Sequence, residues 1–209
     1  VSQQPLFEVD PHVRREDDFY RTPVWQTQAL LARVPILVQP SHLRARVVEP
    51  CVGDGAIVGQ FPAGVDVLTN DIVARGDIVP EFLLDARNRG SWDAFCRTGR
   101  LDVVVTNPPF NDAFEIVQHA VERAYWGVAM LLRLSWLEPT EDRGPWLAVH
   151  PPTHLIVMPR YDYRQNGATD SVTSAWMLWD SGRMEFGAPG IDIVTKAERD
   201  RLVAKYGDR

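Results

Sequence analysis

Four short apolar runs in the first two-thirds of this chain, at 44–49, 65–68, 81–84 and 101–106, each lead into a polar residue: Glu49, Asp71, Asp85 and Asn107. Short valine- and leucine-rich runs of this length read as buried strands. Polar groups at successive strand ends meet on the carboxyl edge of an open α/β sheet, where such sheets hold their ligand crevice. One such acid alone is more often a helix cap or a solvated turn. Four in succession point to a lined crevice.

The last of these ends is the most specific. Asn107-Pro108-Pro109-Phe110 joins the run at 101–106 to an amphipathic segment at 111–125. A residue before proline is pushed toward extended geometry, and each proline has a locked φ. The result is a rigid claw offering a side-chain carbonyl from Asn107, a main-chain carbonyl from Pro108 and an aromatic plane at Phe110. That inventory suits methyl transfer to an exocyclic amino group of a nucleobase. The lone pair of such a group is delocalised into the ring, and two acceptors that each take one hydrogen localise it and point it outward. No strong base is required, since the proton leaves after the new bond forms, and catalysis rests on placement and fixed dipoles. Phe110 would stack on a base drawn out of its helix. A proline-rich turn with no chemistry carries the same residues, so the rest of the chain has to decide.

At 209 residues and 45% apolar composition, one sizeable core is expected, in a single domain over 18–209 behind a polar arm at 1–17. No apolar run reaches membrane-span length, and the polar start does not read as a signal peptide. Cys51 and Cys96 are the only cysteines and lack metal-type spacing, which predicts reduced thiols, a cytoplasmic setting and no metal. A net charge of −6 argues against sequence-blind attachment to nucleic acid. It leaves room for a local basic face. Lys196 and Lys205 are the only lysines, and Arg133, Arg143, Arg160 and Arg164 fall in segments expected near the crevice, as candidate contacts to phosphate or guanine. Any one of them taken singly reads more readily as ordinary solvated surface.

Thr22 and Pro23 read as N-cap and first residue of a helix at 23–33 that buries Trp25, Ala29, Leu30 and Val34. Pro50-Cys51-Val52-Gly53-Asp54-Gly55 reads as a loop into a helix beginning near Ala56. Gly53 and Gly55 would let backbone N–H groups approach a ligand, with the helix N-terminus favouring an anion. Gly59 makes the pattern one residue longer than the dinucleotide fingerprint, so nicotinamide or flavin binding is a weak match. Asp71 lies 18 positions after Gly53, near the spacing at which an acid meets ribose hydroxyls, and Asp85 is placed to accept from an adenine amino group. Beyond the claw, strands are expected at 127–134, 153–159 and 174–179, the last antiparallel to its neighbour because too little chain separates them for a crossover. Irregular loops are expected at 135–152 and 161–173 and a charged helix at 195–206. His150 and His154 show no metal pattern.

Glu49-Pro50-Cys51-Val52-Gly53-Asp54-Gly55 followed by Asn107-Pro108-Pro109-Phe110 resembles the class I S-adenosylmethionine-dependent methyltransferases that modify amino groups of DNA bases, in particular the small adenine methyltransferases of phages and prophages. The likeness runs from Tyr20-Arg21-Thr22-Pro23, which is similar to the family's N-terminal cofactor motif, to the strand containing Ala175-Trp176-Met177-Leu178-Trp179. It implies a seven-stranded, mostly parallel, doubly wound Rossmann-like sheet with one antiparallel strand and helices on both faces. It implies S-adenosyl-L-methionine as cofactor: Gly53, Gly55 and the backbone near Pro50 would hold the methionine part, Asp71 the ribose and Asp85 the adenine. Tyr20, Thr22, Pro23, Glu49, Cys51, Ile72, Ala86 and Asn107 complete the implied cofactor set, and Asn107, Pro108, Pro109 and Phe110 are the implied catalytic set.

Two departures stand out. Phe110 replaces a tyrosine frequent in relatives, keeping the stack and losing a hydroxyl. No segment is long enough for a separate target-recognition domain, so sequence choice would fall to the loops at 135–152 and 161–173, the arm or a second subunit. The leading expectation is N6 methylation of adenine in double-stranded DNA. N4 methylation of cytosine, methylation of an RNA base or a protein glutamine, and a non-catalytic cofactor- or nucleic-acid-binding module stand as alternatives.

Overall fold

Val47 and Val48 point to opposite faces of strand β1 (Arg46–Glu49), and both are buried. The same holds for Val103, Val104 and Val105 in β4 (Val103–Thr106). Successive strand residues face opposite ways, so a continuous buried run means a sheet covered on both sides. In the computed structural model, which describes residues 19–34, 37, 45–161, 173–183 and 190–208, that is what forms.

The remaining strands are β2 (Asp66–Asp71), β3 (Phe82–Leu83), β5 (Gly127–Arg133), β6 (His154–Val157), β7 (Ser174–Asp180) and β8 (Gly190–Ile193). They make one sheet in the order β3-β2-β1-β4-β5-β7-β6-β8. Strand β7 runs antiparallel to both β5 and β6, and the other pairs are parallel. The strand order reverses between β1 and β4, which run parallel, and this places their carboxyl ends at a switch point.

Helix α1 (Val24–Leu31) packs Trp25, Ala29 and Leu30 on one face together with Val47, Val103, Val105, Ala129 and Leu131, and α5 (Lys196–Tyr206) adds Leu202 and Val203. The Arg33 guanidinium ties the two helices, donating to Glu198 at 2.8 Å. On the other face α2 (Arg89–Arg97) contributes Trp92 and Phe95, α3 (Ala113–Arg123) contributes Ile116, Val117 and Ala120, and α4 (Arg143–Val149) contributes Leu147. The expected layering with helices on both faces is therefore present.

Three expectations need correction, and one element was not anticipated. The sheet has eight strands, not seven: Gly190–Ile193 adds an edge strand to β6. It escapes notice in the sequence because Ile191 and Ile193 remain exposed, leaving no buried alternation to read. The helix expected near Ala56 is absent. Only a 3₁₀ turn at Val58–Gln60 forms there, because Gly59 and Pro62 leave too few uninterrupted residues to offset nucleation. The segment 135–152 is not an irregular loop: a 3₁₀ turn at Leu134–Leu137 and α4 lie folded against the sheet. Aromatic packing holds it there, with Trp136 5.9 Å from Trp179 and Trp146 5.8 Å from Phe114, centre to centre. Helix α2 was unforeseen, since Trp92 and Phe95 are the large apolar residues it buries within an otherwise polar stretch. The arm at 1–17, and Arg164 with most of the expected loop at 161–173, lie outside the described residues.

Candidate active site

The carboxyl ends of β1, β2, β3 and β4 open into one cleft of about 810 Å³ of empty space, its mouth included. From β1 come Glu49, Pro50 and Cys51, from β2 Asp71 and Ile72, and from the end of β3 Asp85 and Ala86. Asn107, Pro108 and Pro109 close the side beyond β4, and Tyr20 and Thr22 lie across from them. The sequence-level site residues thus converge. Pro23, Gly53, Gly55 and Phe110 stand outside the lining, the first three as scaffold and Phe110 at the rim.

The claw is held by the segment before α1. The side-chain amide of Asn107 donates one hydrogen to the Tyr20 carbonyl and the other to the Thr22 hydroxyl, both at 3.1 Å. With both hydrogens used, the group left to face a ligand is the Asn107 carbonyl oxygen. That oxygen and the Pro108 carbonyl have no hydrogen-bond partner among the described residues, whereas Pro109 accepts from Asp112 at 3.1 Å. Thr22 is therefore not a helix cap: Pro23 occupies that position, without a side-chain bond, and the Thr22 hydroxyl serves Asn107 instead. Phe110 stacks on Tyr20 with ring centres 5.6 Å apart.

The glycine loop is shaped from within. Gly53 (φ 56°) donates its N–H to the Asp71 carboxylate at 2.8 Å, and Gly55 (φ 81°) donates to the Val52 carbonyl at 2.9 Å. Neither N–H is left for a ligand, and no α-helix N-terminus follows. The glycines are required by backbone shape and by space, because a Cβ at Gly53 would lie 2.4 Å from the Phe19 ring and one at Gly55 1.8 Å from Ile78 Cδ1.

Asn70, one position before Asp71, is a fully buried organiser that the sequence reading passed over. Its amide donates to the Pro50 carbonyl at 2.8 Å and the Leu84 carbonyl at 2.9 Å, and its oxygen accepts from the Leu84 N–H at 3.0 Å. One side chain thereby joins the ends of β1, β2 and β3. The signal was its phase: Asn70 lies two residues from buried Leu68, on the inward side of β2.

The cleft wall is acidic. Burial pushes the Glu49 carboxyl well above its ordinary range, helped by the nearby charges of Asp71 and Asp54 and only partly offset by a backbone hydrogen bond from Val58. Its Oε2 is buried with no hydrogen-bond partner among the described residues. Burial likewise pushes the Cys51 thiol up, which disfavours its thiolate form. Asp85 is held below its usual value by Arg87, whose guanidinium grips it at 2.7 Å and reaches Asp112 at 3.4 Å. Arg21 pairs with Asp54. Among the described residues no cluster of His, Cys, Asp or Glu is arranged to hold a metal, and no helix is long and apolar enough to cross a membrane.

These acceptors fit S-adenosylmethionine. A buried carboxyl oxygen with no hydrogen-bond partner among the described residues, in an acid-lined cleft, suits a ligand bearing a sulfonium and an ammonium.

No family model matches the chain, and no curated protein is significantly similar in sequence. Solved structures do share its shape. The M protein of the type I restriction enzyme EcoKI superposes with a TM-score of 0.54 at 12% identity, over 92% of this chain and 54% of its own. A DrdV–DNA complex gives 0.60 at 10% identity over 88% of this chain and 29% of the DrdV chain. A Listeria monocytogenes protein described as a class I S-adenosylmethionine-dependent methyltransferase gives 0.50 at 9% identity, over 94% and 73%. This chain thus spans about half of the EcoKI protein and under a third of DrdV. The likeness extends across nearly all of this chain, which shares its fold with these solved structures.

Proposed function

We propose that this chain is an S-adenosylmethionine-dependent methyltransferase acting on the N6 amino group of adenine in DNA. The observation that carries the reading is the fixed orientation of the Asn107 amide. With its hydrogens held by Tyr20 and Thr22, it presents an acceptor beside the Pro108 carbonyl, and two acceptors are what an NH₂ group needs.

S-adenosylmethionine, when bound, supplies an electrophilic methyl group. Glu49 would face its cationic end, Asp71 the ribose and Asp85 the adenine amino group, with Pro50, Cys51, Ile72 and Ala86 as walls. Asp71 spends one lone pair of each oxygen on the N–H groups of Gly53 and Val73, and each oxygen keeps a second lone pair for a hydroxyl. The Asn107 and Pro108 oxygens each take one hydrogen of the target amine, localise its lone pair and hold it in line, so the work is placement by preset dipoles. Phe110 receives the extruded base. DNA as the acceptor rests on this pocket and on the DNA-modifying proteins that share the fold.

The test is transfer from tritiated S-adenosylmethionine to double-stranded DNA, followed by nuclease digestion and nucleoside mass spectrometry. Labelled N6-methyladenine from the native chain, and none from Asn107→Ala with cofactor binding preserved, is the expected result. Label as N4-methylcytosine changes the base, label only in RNA or protein changes the acceptor, and binding without transfer makes the chain a non-catalytic module.

A further inference from the structure

Arg133 is the last residue of β5, three residues past Met130, which pairs with Thr106 at the end of β4. It therefore overhangs the claw. Its guanidinium carbon lies 4.4 Å from the centre of the Phe110 ring. Of the other arginines that flank the cleft, Arg21 is neutralised by Asp54 and Arg87 by Asp85 and Asp112, while Arg75 lies over the Phe19 ring, 5.0 Å from its centre. Arg133 is half-buried and has no carboxylate partner among the described residues, in a chain whose net charge is −6.

A partly desolvated guanidinium without a carboxylate is favourable only where something else meets its charge. In the free protein the π-face of Phe110 does so. A base cannot stack on that face while Arg133 covers it, and a released guanidinium at the rim needs an anion. An extruded nucleotide brings both, a ring for Phe110 and a backbone phosphate for a planar fork of donors.

We infer that Arg133 is the phosphate contact of the target nucleotide, lying on Phe110 in the free protein and exchanging that face for the phosphate when the base enters. This rests on the reading that Phe110 stacks the target base. Arg143 differs in kind: it packs 5.3 Å from the centre of Trp136 and donates to the Glu138 carbonyl at 3.0 Å, as a brace for the segment before α4.

Binding of a fluorescent mixed-sequence DNA duplex is measured against sodium chloride for the native chain, Arg133→Met and Arg133→Lys, with methyl transfer and cofactor affinity measured on the same preparations. Loss of one phosphate contact lowers the slope of log K against log salt by about 0.9. Arg133→Met shows that drop together with a fall in kcat/KM for DNA on the order of tenfold. Arg133→Lys keeps the slope, and cofactor affinity is unchanged in both. If Arg133→Met loses cofactor binding through misfolding, Arg133→Gln takes its place in the comparison. Native transfer to DNA with an unaltered slope and kcat/KM in the uncharged variant overturns the inference alone. No transfer to DNA by the native chain overturns the methyltransferase reading and this inference with it.

Discussion

The carboxylate of Asp71 accepts the backbone N–H of Gly53 at 2.8 Å, across 18 positions of sequence. The acid expected to meet a ribose therefore also sets the glycine loop beside it. Asp71→Asn keeps one acceptor oxygen for that N–H and gives up the other. The cofactor dissociation constant should rise on the order of tenfold, with a loss of stability of about 1 kcal/mol. Calorimetric titration and thermal unfolding separate the two effects.

Thr22→Val keeps the shape of the side chain and removes an acceptor of the Asn107 amide. Held by the Tyr20 carbonyl alone, the amide can rotate, and kcat should fall about ten- to a hundredfold. KM for DNA should change little, which steady-state kinetics will read directly.

Gly55→Ala meets two penalties, about 1–2 kcal/mol for a side chain in the left-handed region and about 1–3 kcal/mol for overlap with Ile78. Adding Ile78→Ala relieves the second and leaves the first. Urea unfolding of the single and double variants should show that partial recovery.

Glu49 has a raised folded-state pKa, so its contribution to stability is full below its unfolded value of about 4.3 and is lost as pH rises through the folded value. Unfolding free energy should decline over that rise in the native chain, and Glu49→Gln should flatten the profile. A bound cation reverses the preference and draws the proton off. Cofactor binding should therefore release a proton, detectable in buffers of different ionisation enthalpy, and this release should vanish in Glu49→Gln.

Strand ends were legible because their signal is local: a valine run that stops at a polar residue gives strand, edge and lining together. The claw was legible for the same reason, since two prolines dictate their own geometry. What could not be read depended on distant partners. Trp136 and Trp146 sit in a stretch dense with prolines and glycine, and only their packing with Phe114 and Trp179 turns it into α4 and its 3₁₀ turn. The helix expected after Gly55 failed in the opposite sense, because a familiar loop pattern was followed by a segment too broken to propagate. Thr22 looked like a cap because Thr-Pro fits one, and nothing nearby in sequence showed that its hydroxyl is used by a residue 85 positions away.

Asn70 makes three strand ends into one casting. A floor built that way keeps its form whether or not anything rests on it. The opposite bank is moored to Asn107 through Tyr20 and Thr22, and under the proposed reaction a base would enter and leave along it. Variation in what the chain acts upon can then accumulate along the rim while the floor is left as it is.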